Sequence, residues 1–221
     1  MSVEQTREAW HRIAEHVLAA AQYADTGQIR LRSVAGGFGT TRPVRGGRRL
    51  NVVGTRLVVS DDRGTRTAPL TTVAAAADFV GITPGMPASV YPPATPLAPN
   101  EPLHLDAASA RLLADWYQLA DTALRRLAVA TGRTQQPILW PEHFDIGITV
   151  DAVNFGASPG DGLVPQPYAY VSPHSGPPNR DAFWNAPFGA ARTADRIPSA
   201  DAALAFFQEG RDRLTEQLAS G

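Results

Sequence analysis

Seven of the chain's 19 prolines crowd between Pro84 and Pro102, and neither a helix nor a sheet interior can hold them. Each ring fixes φ near about −65° and removes a backbone donor, so this stretch runs extended, largely as polyproline II. The segments on either side look too small to bury separate cores. The expectation is therefore one domain, residues 1–221, crossed on its surface by a proline-rich strap at about residues 82–105.

Around the strap, hydrophobic periodicity sets the elements. Ser2-x-x-Gln5 reads as a capping box, and Trp10, Ile13, Val17 and Ala21 follow at helical spacing, giving a helix to about Tyr23. His11, Glu15 and His16 on that helix are expected on a solvated face or at its boundary. Strands are expected at Gln28–Val34, Leu50–Val53, Arg56–Ser60 and Thr65–Ala68, the last two joined by the turn Asp61-Asp62-Arg63-Gly64. Gly36-Gly37-Phe38-Gly39 and Arg45-Gly46-Gly47-Arg48 lack the order of a phosphate-binding loop and read as turn or bulge glycines.

Thr71 or Thr72 caps a short helix ending at Gly81. Asp106 caps a long one whose stripe of Leu113, Trp116, Ala120, Leu124 and Leu127 is core packing. Ile138–Leu139, Phe144–Val150 and Tyr168–Ser172 read as strands. Ser199 or Asp201 starts a terminal helix with Leu204, Phe207, Leu214 and Leu218 inward, despite Gly210. This order lacks strict βαβ alternation, so the fold class is α+β, a curved and mainly antiparallel sheet covered by helices.

Composition closes off several chemistries. The chain has no cysteine, which excludes disulfides, thiolate metal sites, iron–sulfur clusters and cysteine nucleophiles. All 20 basic residues are arginine, so a pyridoxal-phosphate anchor, a Schiff base and a P-loop lysine are excluded too. A formal net charge of −1 gives no overall field to attract nucleic acid or a membrane, and neither partner is expected. No apolar stretch is long enough to span a bilayer, and a charged start argues for a cytoplasmic protein.

Residues able to do chemistry concentrate from Trp140 to Asn185. Alternation in a strand would put Phe144, Ile146, Ile148 and Val150 on one face, and His143, Asp145, Gly147, Thr149 and Asp151 on the other. Gly147 would leave room above the sheet, flanked by Tyr168, Tyr170, Ser172 and His174 from a neighbouring strand. Asn154, Ser158 and Asp161 are expected to brace a turn at Ser158-Pro159-Gly160-Asp161. Trp184 and Asn185 lie in an aromatic loop that plugs a core or meets a partner.

Of three chemistries these letters raise, two fit and one does not. His143, Asp145 and His174 could hold a divalent metal, with Glu142 or Asp161 as a further ligand or base. Glu142, His143 and Asp145 could act as a metal-free acid–base group. Ser158 is no hydrolase nucleophile, because Pro159 removes the N–H an oxyanion hole needs.

Taken together, GGFGTT, LTTVAAAADFVG, WPEHFDIGI, NFGASPGD, PYAYVSP and FWNAPFGA resemble a family of uncharacterised actinobacterial proteins, from about Ile29 to the terminal helix. WPEHFD with SPGD and PYAYV also resembles a broader domain of unknown function. The resemblance implies no activity and transfers no catalytic residue. The leading expectation is a small molecule bound in an aromatic, acidic pocket walled by Trp140, Glu142, His143, Asp145, Tyr168, Tyr170, Trp184 and Asn185. The alternatives are a metal-dependent hydrolase or oxygenase on the same residues, and a non-catalytic partner-binding protein.

Overall fold

Ser2 opens the first helix by the expected reciprocal cap. Its hydroxyl accepts from the Gln5 N–H at 3.2 Å, and Gln5 Oε1 accepts from the Ser2 N–H at 3.0 Å. Helix α1 (Val3–Ile13) passes without a break into a π-helical stretch, Ala14–Ala19, and then into α2 (Ala20–Thr26). The structure is a computed structural model describing residues 2–220, with side chains through Glu216.

Two compact units divide the chain. One runs to Asp115 and takes in Ile138–Phe144; the other holds Trp116–Pro137 and the residues from Asp145 onward. The first has strands β1 (Leu31–Val34), β2 (Gly37–Thr40), β3 (Arg49–Val53), β4 (Arg56–Asp61), β5 (Gly64–Pro69) and β6 (Ile138–Trp140). They lie in the order β6-β1-β2-β3-β4-β5, every pair antiparallel. Helix α3 (Val73–Val80) follows, with Thr72 accepting from the Ala75 N–H as its cap. Glycine-rich β2 is a full strand, not the turn expected at Gly36–Gly39. Gly37 and Gly39 let β3 come so close that a Cβ on Gly37 would lie 2.1 Å from the Val52 carbonyl oxygen.

Alternation in these strands puts Leu31, Phe38, Leu50, Val52, Leu57 and Val59 on the buried side. The Trp10 indole meets Phe38 edge-on at 5.4 Å and donates to the Gly54 carbonyl at 3.0 Å.

The second unit orders β7 (Asp145–Val150), β8 (Val153–Ser158), β9 (Tyr168–Pro173) and β10 (Ala190–Thr193) consecutively, again all antiparallel. The α+β class with antiparallel pairing, expected from the sequence, is what the chain adopts. Strands β8 and β10 were not expected, because β8 carries Asn154 and Gly156 and β10 is only four residues long. Helix α4 spans Ala107–Ala130, and Asp106 Oδ2 accepts from the Ser109 N–H at 2.8 Å. Trp116 is buried as expected of a core residue, donating to the Ser158 carbonyl at 2.8 Å.

The last helix, α5 (Ala200–Ser220), buries Phe206 and Phe207. The inward placement expected of Leu218 lies outside the described side chains. Gly210 is in α5 because of a close approach: a Cβ there would stand 2.9 Å from both Val171 methyls. Gly156 is under the same constraint in the sheet, where a Cβ would fall 2.4 Å from the Tyr170 hydroxyl and 2.6 Å from the Ile146 carbonyl oxygen. Gly156→Ala should therefore cost about 2 kcal/mol in urea unfolding. Gly162→Ala, with nothing within 4 Å, should leave the midpoint almost unchanged.

Candidate functional site

Of the residues expected to wall one pocket, Asp145, Tyr168 and Tyr170 come together in the second unit, while Trp140, Glu142 and His143 belong to the first. Phe144 adopts φ 53°, in the left-handed region, and residues 141–144 form a turn; β7 begins only at Asp145. The strand alternation read through Phe144 therefore fails there. His143 is exposed in the turn, while Phe144 is buried against Phe38 at 5.3 Å. An aromatic ring seeking a core outweighed the extended backbone, at the cost of a strained φ.

Nor is there room over Gly147. The Tyr170 ring lies across Gly147 and Gly156, and its hydroxyl donates to Asp145 Oδ2. Burial first, then the Asp145 charge, raise the Tyr170 pKa well above its usual value of 10.0. Tyr168 donates likewise to Asp161 Oδ2, and burial followed by that bond raises its pKa. Both phenols are thus held protonated as donors to fixed carboxylates. Phe188 flanks both rings, at 6.2 Å from Tyr168 and 6.3 Å from Tyr170.

The other expected members scatter. Asp161 Oδ1 accepts from the Leu163 and Val164 N–H groups, and Ser158 Oγ accepts from the Gly160 N–H, so both residues hold the turn after β8. Asn154 does not brace that turn: it sits in β8, and its Oδ1 accepts from Thr149 at 2.7 Å and lies 3.1 Å from His174 Nε2. His174 is exposed. Trp184 is a core plug, buried with Phe183 at 4.8 Å, and Asn185 exchanges two hydrogen bonds with the Ala191 backbone. Trp140 is half-buried with the Arg30 guanidinium 5.7 Å from its ring. Among the described residues no group of three or more His, Asp or Glu is placed to hold a metal ion, which leaves His143, Asp145 and His174 without a ligand set.

One member belongs elsewhere. Glu142, in the WPEHFD turn, joins a cluster around the π-helical stretch that the solvated-face reading of helix α1 missed. Glu15 and His16 are fully buried, not solvated. Glu15 accepts from the Ala94 N–H at 2.9 Å, the Thr95 N–H at 2.8 Å and the Thr95 hydroxyl at 2.6 Å. His16 Nε2 donates to the Thr95 carbonyl at 3.0 Å, and the Gly85 N–H takes the His16 carbonyl at 2.9 Å. The strap is thus fastened to the helix by polar groups, with Met86, Val90 and Tyr91 packing beside Ala19 and Ala20.

His11 completes the group. Its ring stacks on Phe144 at 4.9 Å, its Nε2 donates to the Pro141 carbonyl at 2.7 Å, and that nitrogen lies 3.7 Å from Glu15 Oε2. Burial lowers the His11 pKa from 6.5, outweighing the opposing pull of Glu15 and the Pro141 carbonyl. Tyr91 is pushed the other way, upward, by burial and then by the charges of Glu15 and Glu142.

Two buried polar atoms of this cluster have no hydrogen-bond partner among the described residues, His16 Nδ1 and Glu142 Oε2, while the Tyr91 hydroxyl is engaged with Glu15. A signal for burial was present in the sequence. Ile13, Ala14, Val17, Leu18, Ala19, Ala20 and Ala21 make the helix apolar all round, and such a helix is buried with whatever polar residues it carries. No family model, no curated protein and no solved structure matches the chain. Among the described residues no helix is long and apolar enough to cross a membrane.

Two outcomes follow from this geometry. Glu15→Ala strands three donors and should lower unfolding free energy by about 3 kcal/mol in urea titration. His11 binds its proton more weakly folded than unfolded, so its effect on stability is absent well above pH 6.5 and destabilising as pH falls through 6.5 toward the lower folded value. The drop in Tm from pH 7.5 to 5.5, about one unit either side of that value, should be smaller in His11→Phe than in the parent chain.

Proposed function

We propose that the chain binds a small, donor-rich polar molecule at the Glu142–Tyr91–His16 cluster. The observation that carries this reading is the concentration of incomplete hydrogen bonding. Two buried side-chain atoms of this cluster, His16 Nδ1 and Glu142 Oε2, have no hydrogen-bond partner among the described residues, and the Tyr91 hydroxyl beside them interacts with Glu15. Buried polar groups in folded proteins are nearly always satisfied, and exceptions mark places where a water, ion or ligand completes the set. The π-helical stretch beneath supports the same reading, since such irregularities recur at functional sites.

The chemistry of the cluster selects the ligand class. Glu142 Oε2 is an acceptor, and His16, whose Nε2–H faces the Thr95 carbonyl, leaves Nδ1 open to a ligand. Tyr91 keeps its proton and can donate or accept. A primary amine or a polyol meets that set; an anion would face Glu15 and Glu142. The proposed site is acidic and aromatic, with Tyr91, Phe144 and His11 in place of Tyr168, Tyr170 and Trp184.

A non-catalytic role is the second reading, favoured by the three bonds from Glu15 to the strap, which a purely structural clamp would also need. Thermal-shift screening against small amines and polyols separates the two. Ligand binding predicts hits that raise Tm in the parent chain and vanish in both Glu142→Gln and Tyr91→Phe. A panel without hits, or hits that persist in both variants, would leave the clamp as the function of the cluster.

A further inference from the structure

We propose that the solvent face of the first unit's sheet binds single-stranded nucleic acid. The near-zero net charge conceals how unevenly the arginines are distributed. Nine of the 20 lie between Arg30 and Arg66, a stretch with only Asp61 and Asp62 as acids. Among the described residues none of these nine forms an ion pair, while at least eight of the other eleven do. Seven of the nine are exposed. Evenly scattered arginines would find carboxylates here as they do elsewhere.

The strand registers place several of these side chains on one face. With Leu31, Leu50 and Leu57 pointing inward, Arg30, Arg32, Arg49 and Arg56 point outward. One cross-strand row runs Arg32, Gly39, Asn51, Val58, Thr67, and the next Val34, Gly37, Val53, Arg56, Pro69. Arg49 continues into Ser60 and Thr65. None of these positions is Asp or Glu. Gly37 and Gly39 contribute no side chain and are buried by their neighbours, so no bulky group rises from β2 in the middle of the face. Asn51 lies over Gly39 with its carboxamide oxygen buried against the strand.

At the edge of this face, Leu139 pairs with Leu31, which sets Trp140 next to Arg30 on the same outward side. Guanidinium groups free of carboxylates, an aromatic ring and hydroxyl or carboxamide groups on a flat sheet are the parts of a single-strand platform. Phosphates are neutralised along the backbone, and bases stack on the ring without regard to sequence. Six strands at about 4.8 Å apart span about 24 Å, enough for a short run of nucleotides. A duplex would offer no unstacked base to Trp140.

Fluorescence anisotropy of the full chain with a labelled oligothymidylate tests this. Four outward arginines on four phosphates give a slope of log affinity against log salt of about −3, or roughly fifty-fold weaker binding between about 50 and 200 mM salt. Replacing Arg32, Arg49 and Arg56 together by Gln should weaken binding at least tenfold and make the slope shallower by about 2. Arg111→Gln, which removes an exposed arginine paired with Asp115, should change neither. Trp140→Leu should weaken binding at an unchanged salt slope, a split that loss of charge alone would not produce. Unchanged melting temperatures confirm that the variants fold. No saturable binding at the lower salt, binding kept by the triple variant, or preference for anionic phospholipid vesicles over oligothymidylate would each overturn the proposal.

Discussion

A carboxylate removed entirely from water is the constraint around which the first unit is arranged. Glu15 has no access to solvent, and an uncompensated charge there would cost several kcal/mol. Its compensation comes from the proline-rich strap, which supplies two backbone N–H groups and one hydroxyl from Ala94 and Thr95. Prolines cannot join a ladder, so a strap of this composition has few ways to hold its place. Here it is fixed by lending its few remaining donors to a helix.

The helix gives up regularity in return. Six residues, Ala14–Ala19, take the wider π-helical winding, and the His16 carbonyl accepts from Gly85 of the strap. The same winding places Glu15 beside His11 and both beside the WPEHFD turn, where the Pro141 carbonyl and the Phe144 ring receive the imidazole. Phe144 accepts a left-handed backbone to keep that contact. Strain at Phe144 and unpartnered buried atoms at His16 and Glu142 are costs that packing alone does not require.

The second unit spends its aromatic and acidic residues differently. Tyr170 closes over two glycines and donates to Asp145, and Tyr168 donates to Asp161, so each phenol ends on a carboxylate. These are satisfied pairs that rigidify a sheet face. The outer face of the first unit's sheet is the opposite case: its arginines meet no carboxylate, and those that bond within the sheet do so to neutral oxygens, Arg32 to the Thr40 carbonyl and Arg56 to the Thr67 hydroxyl.

Local order was legible in the letters: the Ser2 cap, the Thr72 and Asp106 caps, the Asp61–Gly64 hairpin and the stripe through Trp116 all depend on neighbours a few residues away. Period-2 alternation likewise fixed which side of β7 is apolar from Ile146 onward. The tertiary structure alone decided the rest. Whether Gly37–Thr40 turns or pairs depends on how near β3 comes, and whether Gly147 opens a pocket depends on where the Tyr170 ring lies. Whether Glu15 is solvated depends on donors from residues about 80 positions away in sequence. Each of those outcomes is a contact between segments distant in the chain, and no local pattern encodes the distance between them.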